Sequence, residues 1–181
     1  MSTSDLRPLA DALGASDRTL RRATDLGLVR SARVSERRTT VSAAERRYLV
    51  GHWPLLSALR GTLRTEPNVG LAVLFGSVAR GDDDVTSDVD VLVDQHDPHW
   101  ERMLELQERL SLAAGRDVHL VRLADAKQDA LFLAAIVADG RVLRDRGAQW
   151  PALRTSLAAL RRRGEREFAA RAASALAAAR A

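Results

Sequence analysis

Leu6, Leu9, Ala10 and Leu13 recur at i, i+3, i+4 and i+7, a spacing that predicts a short helix with one buried face. Gly14 breaks the pattern. Ser16 is placed to cap a second helix, with Leu20 and Ala23 inward and Gly27 ending it in a left-handed turn. Residues 28–30 read as a short strand, residues 33–40 as a polar turn, and residues 39–41 as a returning strand. Ser42 and Glu45 have capping-box spacing and open a linking helix over residues 43–64, bent near Pro54, whose ring removes a backbone donor. The apolar run 69–75 predicts a buried strand, and residues 88–93 alternate with a period of two. Asp97 and Pro98 are expected to start a helix with Met103, Leu106, Leu110 and Ala114 inward and Gly115 at its end. A strand over 116–123, a helix from Asp125 to 138, a turn at Asp139-Gly140 and a last strand at 141–144 follow. Residues 149–181 read as one or two helices around Gly164, docked through Trp150, Leu153, Leu157 and Leu160.

These elements group into three parts: residues 1–65, 66–146 and 147–181, with the clearest boundary at residues 65–68. Charge follows the same division. Residues 1–65 carry twelve basic and six acidic side chains, residues 66–145 eight and sixteen, and residues 146–181 eight and two. Basic ends suit a nucleic-acid partner, and an acidic centre suits cations. Of the 28 basic residues 27 are Arg, a bias that GC-rich coding also produces. With 181 residues, 46% hydrophobic and 29% charged, the chain has the profile of a globular protein. The absence of cysteine excludes a disulfide framework, a thiolate zinc site and a cysteine nucleophile. The longest apolar run, 130–138, is too short to span a bilayer, and no apolar leader opens the chain. The expectation is a cytoplasmic protein with no membrane contact.

The chemistry concentrates after the buried strand, in Gly76-Ser77-Val78-Ala79-Arg80-Gly81, an acidic turn at Asp82–Asp84, and Asp88-Val89-Asp90. Gly76 lets the backbone approach a phosphate without a Cβ. Ser77 offers a hydroxyl and an N–H to phosphate oxygens, at a helix start. The strand period puts Asp88 and Asp90 on one face, about 7 Å apart, where they can share a divalent cation and would otherwise repel. Arg80 is a candidate for the outer phosphates, or for a salt bridge to the acidic turn.

Gly76-Ser77, ten residues, then Asp88-x-Asp90 resembles the nucleotidyltransferase superfamily that includes DNA polymerase beta, and GSVARGDDDVTSDVDVLV is similar above all to its minimal members. The resemblance covers about residues 68–146. It implies an α/β (α+β) fold, a short mixed sheet flanked by helices, with a helical tail at the C-terminus. It implies Mg²⁺ or Mn²⁺ held by Asp88, Asp90 and a third carboxylate on a neighbouring strand. Asp117 is the matching position, as a metal ligand or as the acceptor's base; His119 shares its face by alternation and is assigned to solvent or packing. Gly76, Ser77 and Arg80 would bind a nucleoside triphosphate, ATP being the first expectation. The implied reaction transfers a nucleoside monophosphate to a hydroxyl and releases pyrophosphate. Minimal members often act as antitoxins on a paired helical toxin, so a protein toxin partner is expected.

Ala10, Gly14 and Leu20 resemble the small, glycine and aliphatic positions of a helix-turn-helix, and the segment as a whole resembles a bacterial winged helix. Arg18, Arg21 and Arg22 would then read bases, and Arg30, Arg37 and Arg38 would hold phosphates, with a homodimer if the operator is a palindrome. Competing readings are a DNA-binding regulator whose nucleotidyltransferase part only senses nucleotide or holds a partner, and a plain interaction module.

Overall fold

The computed structural model describes residues 6–35 and 38–179. Helix α1 (Arg7–Ala12) buries Leu9 and Ala10. Helix α2 (Asp17–Leu26) starts where Ser16 accepts the Thr19 N–H at 3.1 Å, and ends at Gly27 with φ 91°. Leu20 and Ala23 are fully covered. The wing departs from expectation. Residues 28–30 form no strand; the hairpin pairs β1 (Ala32–Ser35) with β2 (Arg38–Thr40). The reason is that Leu28 and Val29 are both buried in the core and both donate their backbone N–H to the Ala23 carbonyl, at 2.9 and 3.2 Å, so the segment closes α2 instead of pairing as a strand.

Helix α3 (Ala43–Arg64) runs 22 residues, through Pro54. Ser42 accepts the Glu45 N–H at 3.1 Å, but the Glu45 carboxylate does not close a capping box. It turns instead to the Arg30 N–H and to the Arg141 guanidinium.

The central sheet has the order β5-β4-β3-β6. β3 (Val69–Phe75) pairs antiparallel with β4 (Val89–Gln95) and β6 (Arg141–Asp145), and β4 pairs parallel with β5 (Val118–Arg122). The sheet is therefore mixed. Every residue of β3 is buried, as befits a central strand covered on both faces. One cluster joins Ala72, Leu74, Val89, Val91 and Val93 to α1, α2, α3 and helix α5 (Trp100–Ala114). The other joins Leu71, Val73, Phe75 and Leu92 to α6 (Leu123–Ala126), α7 (Ala130–Asp139) and α8 (Gln149–Ala178).

Two boundaries correct the sequence reading and a third settles an alternative it left open. α5 begins at Trp100 because Asp97 is held by Asn68: its N–H donates to Asn68 Oδ1 at 2.7 Å and its carbonyl accepts from Nδ2 at 2.8 Å. The helix expected from Asp125 is two helices. Asp125 is paired with Arg122 at 2.7 Å, and Asp129 caps α7 by accepting the Leu131 and Phe132 N–H groups. α8 is one helix of 30 residues, and Gly164 is buried inside it rather than breaking it. A Cβ at Gly164 would lie 2.6 Å from Leu131 Cγ, so the glycine is where α8 crosses α7. Among the described residues, no helix is long and apolar enough to cross a membrane.

Candidate active site

β3 delivers the chain to Gly76, whose φ of 76° is open to glycine at little cost. Helix α4 (Gly76–Arg80) follows and ends at Gly81, φ 83°. Antiparallel register places Phe75, the last residue of β3, opposite Asp90. A Cβ at Gly76 would overlap Asp90 Oδ2, so the bare glycine is what lets the carboxylate reach the turn. Ser77 is half-buried, and its hydroxyl has no protein partner among the described residues. Arg80 donates to Asp82 at 3.1 Å with both side chains exposed, the salt bridge weighed above.

Asp88 and Asp90 are brought together, as the strand alternation requires. His119 Nδ1 lies 3.6 Å from Asp88 Oδ2 and 4.0 Å from Asp90 Oδ1. Parallel register pairs Asp90 with His119 directly. Burial pushes the Asp90 carboxyl above its ordinary range; His119 opposes this and the like charge of Asp88 adds to it. A carboxylate pair under that strain, with hard oxygen donors, suits Mg²⁺ or Mn²⁺. Among the described residues, no group of three or more His, Asp or Glu side chains is arranged to hold a metal ion. Two carboxylates nevertheless fit a cation that takes its other ligands from substrate phosphates and water.

Asp117 stands just before β5, exposed, its carbonyl accepting the Val89 N–H at 2.9 Å. Its carboxylate makes no hydrogen bond or ion pair among the described residues. His119, assigned to solvent or packing from the sequence, is the β5 side chain that reaches the pair. Alternation placed both on one face; only the register of β4 against β5 shows which of them faces Asp90.

Two residues that sequence reasoning undervalued hold the loop leading to Asp88. Asp83 accepts from His52 Nε2 at 2.8 Å and Arg116 Nη1 at 2.9 Å. His52 stacks on Tyr48, and its Nδ1 lies 2.9 Å from the Tyr48 carbonyl. Arg116 also donates to the Ser87 carbonyl and, at 2.9 Å, to that of Asp84. Burial works against the Asp83 charge, but the His52 and Arg116 hydrogen bonds outweigh it and hold its carboxyl below the ordinary range. Asp84 closes the turn by accepting from Thr86 and Ser87.

On the basic module, Arg18 is exposed, Arg21 pairs with Asp17 at 2.7 Å, and Arg22 lines a cleft against β6. Arg30 donates its guanidinium to the Asp139 carbonyl at 2.6 Å and the Ala79 carbonyl at 3.3 Å. Arg37 and the side chain of Arg38 lie outside the described residues.

The family described as "Polymerase beta, Nucleotidyltransferase" matches residues 58–149. No curated protein matches the chain. Among solved structures, one described as a toxin–antitoxin with AMP-PNP is 24% identical, with a TM-score of 0.55 over 67% of this chain and 98% of that one. Another, the toxin–antitoxin MntA-HepT, is 22% identical, with a TM-score of 0.51 over 67% of this chain and 97% of that one. At these identities the likeness is one of fold.

Proposed function

The chain belongs to the polymerase beta nucleotidyltransferase family, and from that premise we propose that it transfers a nucleoside monophosphate from a nucleoside triphosphate to a hydroxyl of a partner toxin. The observation that carries the reading is the juxtaposition of Asp90 with both Gly76 and Asp88. Asp88 and Asp90 would hold Mg²⁺ or Mn²⁺, which would supply charge neutralisation for the triphosphate. Gly76 and Ser77 line the phosphate approach, and Ser77 donates its free hydroxyl. Arg80, exposed beside the turn, leaves Asp82 to meet the outer phosphates. The acceptor oxygen attacks the α-phosphorus, the bond to the β-phosphate oxygen breaks, and pyrophosphate departs.

The acceptor proton needs a base. His119 Nδ1 is within 4.0 Å of both carboxylates, and Asp117 stands exposed just before β5, so we assign that role to His119 ahead of Asp117. An adenine nucleotide and a toxin acceptor are supported by a fold neighbour described as a toxin–antitoxin with AMP-PNP. The test is label transfer from each nucleoside triphosphate to candidate toxins with Mg²⁺, beside Asp88→Ala/Asp90→Ala. Transfer that survives the double change sinks the proposed role of the pair.

A second reading rests on the order α1, α2, β-hairpin, α3, which is that of a winged helix. In it the module binds DNA through Arg18, Arg21 and Arg22 on α2. Affinity that falls steeply with salt, and drops with Arg18→Ala/Arg21→Ala, supports it; no retention on any duplex at low salt rejects it.

A further inference from the structure

At the opposite end of the sheet from Gly76, a cleft of about 540 Å³ lies between α2, α3 and the end of β6. Five arginines line it: Arg22, Arg60, Arg64, Arg144 and Arg146. Arg144 is only 8% exposed, yet its Nε and one Nη have no hydrogen-bond partner among the described residues. A buried guanidinium with unmet donors is costly, and proteins seldom keep one without a use. The lining contains one acid, Asp145, and both its oxygens are taken, accepting the Gln149 and Trp150 N–H groups at 3.0 and 2.9 Å. Nearby Glu66 is likewise engaged, accepting from Arg109 at 3.0 Å. Arg60 and Arg64 lie one turn apart on α3, and neither has an acidic partner among the described residues. Burial lowers the pKa of Arg144 and Arg60, and their neighbours Arg146 and Arg64 lower each further. The protein thus assembles five guanidinium groups around a single lining carboxylate, Asp145, with Glu66 as a partial counter-charge to Arg144.

We propose that this cleft binds a compact polyphosphate anion, either free pyrophosphate or the phosphate tail of a nucleotide, at a site separate from Asp88 and Asp90. The volume suits a mononucleotide. Guanidinium forks match phosphate oxygens two by two, and five of them call for several negative charges on one ligand. A duplex presents its phosphates on a broad convex surface, whereas Arg144 lines a concavity. The Thr19 and Ser57 hydroxyls at the rim add neutral donors. Antiparallel register puts Asp145 opposite Leu71, five residues along the strand from Gly76, so the two are separated by roughly 17 Å. A ligand here would bridge the basic module and the sheet.

The test uses the full chain in EDTA, which removes cation-dependent binding at the carboxylates. Calorimetry and thermal shift are run with pyrophosphate, ATP, adenosine and a short DNA duplex. Saturable one-to-one binding of pyrophosphate or ATP, with none for adenosine, is expected; comparing the first two shows whether free or nucleotide-borne phosphate is preferred. Arg60→Ala/Arg64→Ala should weaken binding by about tenfold or more, and Asp88→Asn/Asp90→Asn should leave it unchanged. Arg144→Met should abolish the anion-induced thermal shift without lowering the melting temperature of the free protein, because the lost guanidinium had unmet donors. Unchanged anion affinity in Arg60→Ala/Arg64→Ala overturns the proposal even if Arg144→Met fails to fold. So does binding of the duplex alone, which would make the cleft a nucleic-acid surface.

Discussion

Arg141 and Glu45 form a two-pronged ion pair, 2.6 and 2.9 Å, with Arg141 only 1% exposed. The same guanidinium donates to the Ala79 carbonyl at 2.7 Å and the Leu28 carbonyl at 3.2 Å, and lies 3.5 Å from the Tyr48 ring centroid. One side chain on β6 thereby ties α3, the end of α2 and the last turn of α4. Arg141 thereby anchors α4, the five-residue helix that opens with Gly76-Ser77.

Arg141→Met should therefore cost about 3–5 kcal/mol, since it leaves the Glu45 charge buried and unpaired. Arg141→Met with Glu45→Leu should recover part of that loss, although the Ala79 and Leu28 carbonyls stay unmet. Urea denaturation of the two variants measures the difference; equal losses would mean that the ion pair carries little.

Tyr48 contributes its ring and not its hydroxyl, which is buried without a hydrogen-bond partner among the described residues. Tyr48→Phe keeps the stacking on His52 and the contact with Arg141, so it should be neutral or up to about 1 kcal/mol stabilising. Burial above all pushes the Tyr48 hydroxyl from 10.0 up to about 12, with Arg141 opposing. A raised value means that the stabilising contribution is complete below pH 10.0, the ordinary value, and is lost as pH rises through about 12. Alkaline melting curves of Tyr48→Phe should be flatter than those of the unaltered chain over that window.

Asp83 has the opposite sign. Its carboxyl is held below the ordinary value of 3.8. Its contribution is present above that value and lost as pH falls through the lower folded one. Asp83→Asn should reduce the acid dependence of stability and also slow label transfer, because the loop that presents Asp88 loses its anchors to His52 and Arg116. Acid titration followed by circular dichroism checks the first, and initial rates at neutral pH the second.

His119→Asn should lower kcat by roughly 10²-fold if the imidazole takes the acceptor proton, with Asp117→Asn costing less. Single-turnover kinetics on both variants decide the order; a larger loss in Asp117→Asn returns the role to that carboxylate.

Gly164→Ala should destabilise the chain by about 1–3 kcal/mol, even though alanine is the better helix former, because the new methyl would press on Leu131. A stabilised variant would mean that α8 does not cross α7 as closely as the structure places it.

The local signals in this chain were readable because their causes lie within a turn or a strand. Ser16 before its helix, Gly27 after it, the buried run of β3 and the Gly76-Ser77 turn ahead of Asp88 and Asp90 each depend on neighbours a few residues away. The wing strand and the Asp125 cap failed for the converse reason, and the choice between one and two helices around Gly164 stayed open for it: each local preference was overruled by distant packing, of Leu28 and Val29 into the core, of Asp125 onto Arg122, and of α8 against Leu131. The sequence by itself determined most of the elements, the family and the placing of Asp88 and Asp90 on one face of a strand. Only the tertiary structure joined Glu45 to Arg141, 96 positions apart, set His119 beside that pair, and gathered five arginines from three elements into one cleft. No short-range spacing encodes those meetings, because they arise where separate elements bury their faces against one another.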